Sequence, residues 1–231
     1  MKLLAFETAT EACSVAVYVD GEIIERHEVA PRLHAEYALP WAEALLAQAG
    51  ITRAQLDVIA ISRGPGAFTG VRLAIALAQG IALALDRPVV AVSTLQVLAL
   101  QAGPHRALAA IDARMGEVYA GAFEPSPEGP RLLGLESVSA PEAVSIPGAE
   151  DGWHGIGTGF GAGGGRLQQA LEARLGQVDA AALPRASDVA RLAVMAHARG
   201  EAVAPDRVEP AYLRNNVALT LAEQQAQRAA R

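Results

Sequence analysis

The 231-residue chain has one cysteine, Cys13, and only 4% aromatic residues. A lone cysteine excludes an internal disulfide and fits a reducing compartment. With so few aromatics, a composition that is 52% hydrophobic must build its core from Ala, Leu, Val and Ile. A basic tract is also missing. The 19 basic residues are nearly all arginine, are scattered, and are outnumbered by 25 acids, for a net charge of −6. That balance argues against a stand-alone binder of nucleic acid, which needs clustered cations for phosphate contacts. Long apolar runs are absent too. The longest, "LAIALAQGIALALD" (73–86), is broken by Gln79 and Gly80 and falls short of the roughly 18–20 residues of a membrane span. The N-terminal segment meets Glu7 too early for a signal peptide. The chain is expected to be soluble and cytoplasmic, with no membrane contact.

Metal and nucleophile patterns are lacking as well. None of the five histidines pairs at i, i+4 with another, and no CxxC occurs. No protein-bound metal is expected. Serine and histidine are present without a G-x-S-x-G elbow.

What is present is an ordered α/β pattern. "KLLAF" (2–6), "CSVAVYV" (13–19) and "EIIERHEV" (22–29) read as three strands, the last two joined by the hairpin signal Asp20-Gly21. A helix over 34–50 ends at Gly50 and contains Pro40, which should kink or restart it. A strand at 56–62, a helix at 69–85 with Thr69 as N-cap, a strand at 88–93 and a helix at 93–102 capped by Ser93 complete a β-β-β-α-β-α-β-α unit. A second unit opens in the same way, with strands at 107–112, 117–124 and 131–138. It continues with a strand at 152–157, a glycine cluster at 157–165, and helices near 166–175 and 187–199. The tail 208–218 is extended at first, and the final stretch is a surface helix or frayed. The division into lobes falls near 103–106, giving 1–104 and a smaller, irregular 105–231. Cys13 lies in an apolar strand and reads as a small core residue.

Two stretches invite a nucleotide reading. In "SRGPGAFTGVRLA" (62–74), Gly64, Gly66 and Gly70 follow a strand and open a helix. Gly64 and Gly70 are too far apart for G-x-x-x-x-G-K-[ST], no lysine follows, and the spacing is one residue too long for G-x-G-x-x-G. A structural corner is the stronger reading, with Arg72 in the first helical turn positioned to reach a partner or Glu7. "FETATEACSVAV" (6–17) resembles the first phosphate loop of the actin, Hsp70 and sugar-kinase fold. There the loop contacts phosphate and a carboxylate orients metal-bound water. The alternative is that Glu7, Thr8 and Thr10 only satisfy a turn. Likewise "IDARMGEVY" (111–119) sets Asp112, Arg114 and Glu117 round a tight turn that is either functional or merely salt-bridged.

Helix faces supply a third candidate. Ala74, Ala78 and Ala82, with Leu73, Leu77 and Gly80, would admit a second helix closely. Tyr37, Trp41 and Leu45 form an i, i+4 stripe on the preceding helix. Both sets suit either the chain's own core or a protein interface, where Trp and Tyr are favoured anchors.

Together "ETATEACSVAV", "SRGPGAFTGVRLAIALAQGIAL", "VSTLQVLA", "AAIDARMGEVYAG", "GTG" and "EPAYLRNNVA" resemble the TsaB (YeaZ) family over nearly the whole chain. The resemblance implies an actin-like ATPase (ASKHA, ribonuclease H-like) fold in two lobes. It implies a non-catalytic subunit for making threonylcarbamoyladenosine in tRNA, paired with the catalytic paralogue TsaD and supported by the ATPase TsaE. Transfer of threonylcarbamoyl to N6 of the adenosine beside the anticodon would belong to TsaD, and tRNA would be met only through the complex. The catalytic relatives carry a metal-binding H-x-x-x-H where this chain has Thr94 and Leu98. Glu7 stands where most relatives have Asp. The region around Asp112 is degenerate, so no intrinsic cofactor is expected, ATP or ADP being expected at most at the partner interface. The family's partner surface is a bundle of the first two helices of both proteins. Carried over, it would use His34, Tyr37, Trp41, Leu45, Thr69, Arg72, Ala74, Ala78 and Gln79, and a free chain would self-associate through the same face. The competing class is an enzyme of the same fold, a small ATPase or glycopeptidase-like hydrolase, which needs a competent phosphate loop and a metal.

Overall fold

A computed structural model describes residues 1–214. The part of the expected tail beyond 214, with its final helix or frayed stretch, lies outside the described residues.

β1 (Lys2–Glu7), β2 (Ala12–Val19) and β3 (Glu22–Val29) form the antiparallel start of a five-stranded sheet. β4 (Val58–Ser62) and β5 (Val89–Val92) continue it in parallel, in the order β3-β2-β1-β4-β5. Asp20 and Gly21 both have positive φ, 48° and 111°, as the expected two-residue turn requires. Strand side chains alternate between faces. Leu4, Phe6, Val15, Val17, Ile59 and Ile61 therefore meet one layer, made by α1 (His34–Gln48) and α2 (Phe68–Leu85). Leu3, Ala5, Ala16, Val58, Ala60, Val90 and Val92 meet the other, made by α5 (Ala186–Ala198). A sheet buried on both faces explains why β1 and β4 read as continuous apolar runs.

α3 (Thr94–Leu100) links the lobes. Ser93 caps it as expected, its hydroxyl accepting from Leu95 and Gln96 N–H. Its Leu95, Leu98 and Ala99 pack on the second sheet, and Val97 packs in the first lobe. The second sheet runs β11-β10-β6-β7-β8, with β9 also on β7. Its strands are β6 (Ala107–Arg114), β7 (Glu117–Glu124), β8 (Arg131–Leu132), β9 (Ser137–Ser139), β10 (Trp153–Ile156) and β11 (Leu175–Asp179). Trp153, Phe160 and Leu167 fill its outer side, Leu167 coming from α4 (Arg166–Ala170).

Several expectations need correction. The strand expected over 131–138 is two short pieces, β8 and β9, parted at Leu133–Glu136 where Gly134 takes φ 86°. The helix expected over 166–175 stops at Ala170, and after a turn over 171–174 the chain forms β11, whose polar sequence hides its edge position. Pro40 does not restart α1, which runs unbroken through it. The N-cap of α2 is Ala67, not Thr69. The Ala67 N–H donates to the Ala9 carbonyl (2.7 Å) and its ψ of 126° is extended, so the helix opens at Phe68 without a side-chain cap. The division expected at 104/105 lies between α3 and β6. α5, from the second half of the sequence, crosses back to pack on the first sheet.

That return is locked by one side chain. Glu25 on β3 accepts from the Ser187 N–H (2.9 Å) and the Ser14 hydroxyl (2.9 Å) through Oε1. Its Oε2 takes Arg185 through Nε and Nη2 (3.0 and 2.7 Å). The carboxylate of β3 thereby serves the orphan Ser187 N–H in the first turn of α5, and Ser14, which it holds, accepts from the Ala186 N–H (2.9 Å). Burial alone would raise the Glu25 pKa, but the Ser187 amide, Arg185 and Ser14 together leave it lowered.

Candidate functional site

The two loops that invited a nucleotide reading pack on each other. The Thr8 hydroxyl donates to the Gly70 carbonyl (2.7 Å), and the Ala9 N–H is taken by Glu7 Oε1 (2.6 Å). A Cβ at Gly70 would lie 1.9 Å from the Thr8 carbonyl, and one at Gly66 would lie 2.4 Å from that of Ala9. These glycines exist for close backbone approach. The glycine corner therefore covers the threonine loop, and Glu7, Thr8, Ala9 and Thr10 are all buried. Glu7 is fully buried, and burial pushes its pKa up to about 7 against the opposing pull of the Ala9 amide. Its Oε2 and the buried Ser62 Oγ, Thr10 Oγ1 and Thr94 Oγ1 have no hydrogen-bond partner among the described residues. Arg72 does not reach Glu7. Its guanidinium stacks 3.3 Å from the Phe68 ring centroid and donates to the Tyr212 hydroxyl, because Glu7 lies beneath the corner and α2 points Arg72 outward.

Asp112 lies in the other lobe, half-buried on the β6–β7 hairpin. There it pairs with Arg114 (3.0 Å), while Glu117 pairs with Arg214. The turn is thus salt-bridged. A hollow of about 250 Å³ beside it is lined by Asp112, Arg114, Arg166 and Gly163. A larger cleft of about 400 Å³ runs between the lobes, lined by Arg63, Ser93, Phe123, Glu136 and Leu192. Burial raises the Glu136 pKa against the pull of Ser93, to which it is hydrogen-bonded, and of Arg63. Nothing in the apolar context of Glu136 marked it in the sequence.

The residues expected at a partner surface divide sharply. Ala74 and Ala78 have no exposure, because with Val71, Ile75 and Ala82 they form the face of α2 that packs on the sheet. They are core, and so is Leu45 on α1, 1% exposed. Tyr37 and Trp41 stack on each other, ring centroids 4.9 Å apart, and lean half-buried on the same core. His34 Nε2 faces the Thr10 and Ala12 carbonyls (2.9 and 3.2 Å), which requires it to carry the proton. Gln79 donates to the Pro205 carbonyl (3.0 Å). Thr69 is exposed.

The outward face of α2 is a different stripe, two residues out of phase. Ala76, Gly80, Leu83 and Ala84 are exposed, Leu83 at 64%, and a Cβ at Gly80 would meet nothing within 4 Å. No charged residue stands between Arg72 and Asp86. The small residues repeat every four positions on both faces, so their spacing alone could not say which one turned inward. The helix is long and apolar enough to cross a membrane by length and composition, yet its other side packs on the sheet. Among the described residues, no group of three His, Cys, Asp or Glu side chains could hold a metal. Cys13 is buried, and burial, then Glu7 and Glu28, push its thiol up to about 12.

A family model described as tRNA N6-adenosine threonylcarbamoyltransferase, TsaD, matches residues 23–149. Two sheets in two α/β lobes, with the TsaD model match and the YeaZ neighbour, define an actin-like ATPase-type fold of the TsaD/YeaZ class. The TsaB protein of Escherichia coli K12, named for tRNA threonylcarbamoyladenosine biosynthesis, is 41% identical over 226 residues, covering 94% of this chain and 96% of its own length. Its counterpart in Haemophilus influenzae is 38% identical over 233 residues, covering 94% and 95%. The solved structure of YeaZ from Pseudomonas aeruginosa superposes with a TM-score of 0.86 at 47% identity, covering 92% of this chain and 99% of that one. The chain belongs to the TsaB (YeaZ) family, whose role lies in tRNA threonylcarbamoyladenosine biosynthesis.

Proposed function

We propose that the chain is a non-catalytic subunit that docks on a TsaD-like transferase through the outward face of α2 and sustains its activity, with a TsaE-like ATPase as third member. The observation that carries this reading is the uncharged stripe Ala76-Gly80-Ala84 flanked by Leu83. An exposed apolar helix face asks for cover, and small residues let a second helix approach closely, so the matching helix of a paralogue is a natural occupant. Alone, the chain would cover the stripe with a second copy.

The absence of catalysis is supported by the covered threonine loop. A phosphate needs free N–H groups and hydroxyls, but here the Thr8 hydroxyl and the Ala9 N–H are used internally, and Glu7 and Thr10 are shut away from solvent. Thr94 and Leu98, at the positions of the relatives' metal histidines, are both fully buried. Neither nucleotide nor metal is then intrinsic to this chain, and tRNA is reached through the complex in the cytoplasm.

The test is co-elution with the TsaD-like subunit on a sizing column. Gly80→Arg, at an open surface position, should abolish the complex without lowering the thermal midpoint of the free chain, since Arg is a better helix former than Gly. A complex that survives Gly80→Arg refutes the interface.

A further inference from the structure

Among the described residues, four of the seven large exposed hydrophobic side chains, Phe68, Met115, Leu135 and Tyr212, lie along or beside one short segment, 210–214. This segment straps the two lobes together. The Ala211 N–H donates to the Arg63 carbonyl (2.9 Å) at the start of the glycine corner. The Tyr212 hydroxyl meets Arg72 on the first turn of α2. Arg214 reaches the Ala113 carbonyl (3.2 Å) and Glu117 on the hairpin of the second lobe.

Where the strap crosses α2, three side chains form a fixed stack. The Arg72 guanidinium lies 3.3 Å from the Phe68 ring centroid and 5.2 Å from that of Tyr212. It also donates to the Phe68 carbonyl (3.3 Å). Phe68 is nonetheless 66% exposed and Tyr212 58%. Among the described residues, no carboxylate pairs with Arg72 or with the exposed Arg63. Arg72, with no carboxylate partner among the described residues, and Arg63, whose charge acts on the buried Glu136 without an ion pair, stand among exposed rings in a chain of net charge −6 and form an anchor of the type that dominates protein interfaces, rich in Arg and Tyr. Its rotamers are already fixed, so little conformational entropy is lost on docking. The patch is continuous with the outward face of α2, since Phe68 and Arg72 are its first turn.

We propose that Phe68, Arg72 and Tyr212, with Arg63 beside them, bind a carboxylate-bearing segment of the same protein partner that covers α2, so that the partner contacts the strap as well as the helix. The inference rests on the α2 reading above. An RNA strand is the less suitable occupant, because Arg114 and Arg214 are already paired with Asp112 and Glu117, and among the described residues only Arg63 and Arg72 remain at this patch for phosphates.

The experiment measures the affinity of the full chain for the TsaD-like subunit at low and moderate ionic strength. Arg72→Gln and Tyr212→Ser change surface side chains, and an unchanged thermal midpoint confirms that each variant folds. Each should weaken the complex roughly ten-fold or more, and Arg72→Gln should flatten its salt dependence. If both bind like the wild type while Gly80→Arg loses the complex, the patch is wrong and the α2 reading stands. If all three bind like the wild type, the α2 reading itself fails and the patch proposal falls with it. If the two patch variants keep the protein complex but lose tRNA retained on a filter by the wild type, RNA is the occupant and the proposal is overturned.

Discussion

Replacing Glu7 by Gln should make the protein more stable in alkaline solution and leave it nearly unchanged in mild acid. Glu7 is fully buried and its pKa is raised from 4.5 to about 7. One pKa unit corresponds to about 1.4 kcal/mol, so the full shift is worth about 3 kcal/mol. The folded pKa lies above the unfolded one. The stability tied to the proton is therefore fully present below about 4.5, is lost progressively as pH rises through about 7, and is absent above. Glutamine keeps the carbonyl that accepts the Ala9 N–H and never ionises. Urea denaturation should give wild type and Glu7→Gln similar unfolding free energies near about pH 5, and a variant more stable by up to about 3 kcal/mol near about pH 8. Other titrating groups are shared and cancel in the difference. A wild-type-to-variant gap that does not change with pH would refute the picture of a buried, proton-holding carboxyl, and with it the claim that this residue is cut off from any nucleotide.

Glycine positions separate packing from docking. Gly70→Ala forces a Cβ to 1.9 Å from the Thr8 carbonyl and should lower stability by about 1–3 kcal/mol or more. Gly80→Ala meets nothing and should raise it by about 0.5–1 kcal/mol, both read from thermal midpoints. Glu25→Ala strips the α5 N-terminus of its acceptor and should cost about 2–3 kcal/mol in chemical denaturation. Because the Glu25 pKa is lowered in the fold, that stability is present above its unfolded pKa. The gap should therefore narrow as pH falls below the ordinary carboxylate range of about 4.3. Calorimetry of the free chain with ATP and magnesium should show no binding, and saturable micromolar binding would restore the small-ATPase reading.

Most of the first lobe was legible because its signals are local. Asp20-Gly21 dictates a hairpin, Ser93 caps a helix, and the apolar runs of β1 and β4 have no other use than a buried sheet. The inward or outward choice on α2 was not legible. Alanines at 74, 78 and 82 and small residues at 76, 80 and 84 obey the same helical period, and only Val71 and Ile75 reveal which face packs. Nor was the role of Arg72, which depends on a tyrosine 140 residues away. β11 and the broken strand at 131–139 sit at the margins of the second sheet, where few buried side chains impose a pattern. The return of α5 to the first sheet hangs on Glu25 and Ser187, a pairing between residues 162 apart that no local motif announces.

Reconstituted tRNA threonylcarbamoylation tests the subunit role most directly. A TsaD-like transferase supplied with its adenylate substrate, TsaE-like ATPase and tRNA should modify tRNA at full rate with this chain present. It should fall to background when the chain is omitted or replaced by Gly80→Arg. Full modification without the chain would contradict it.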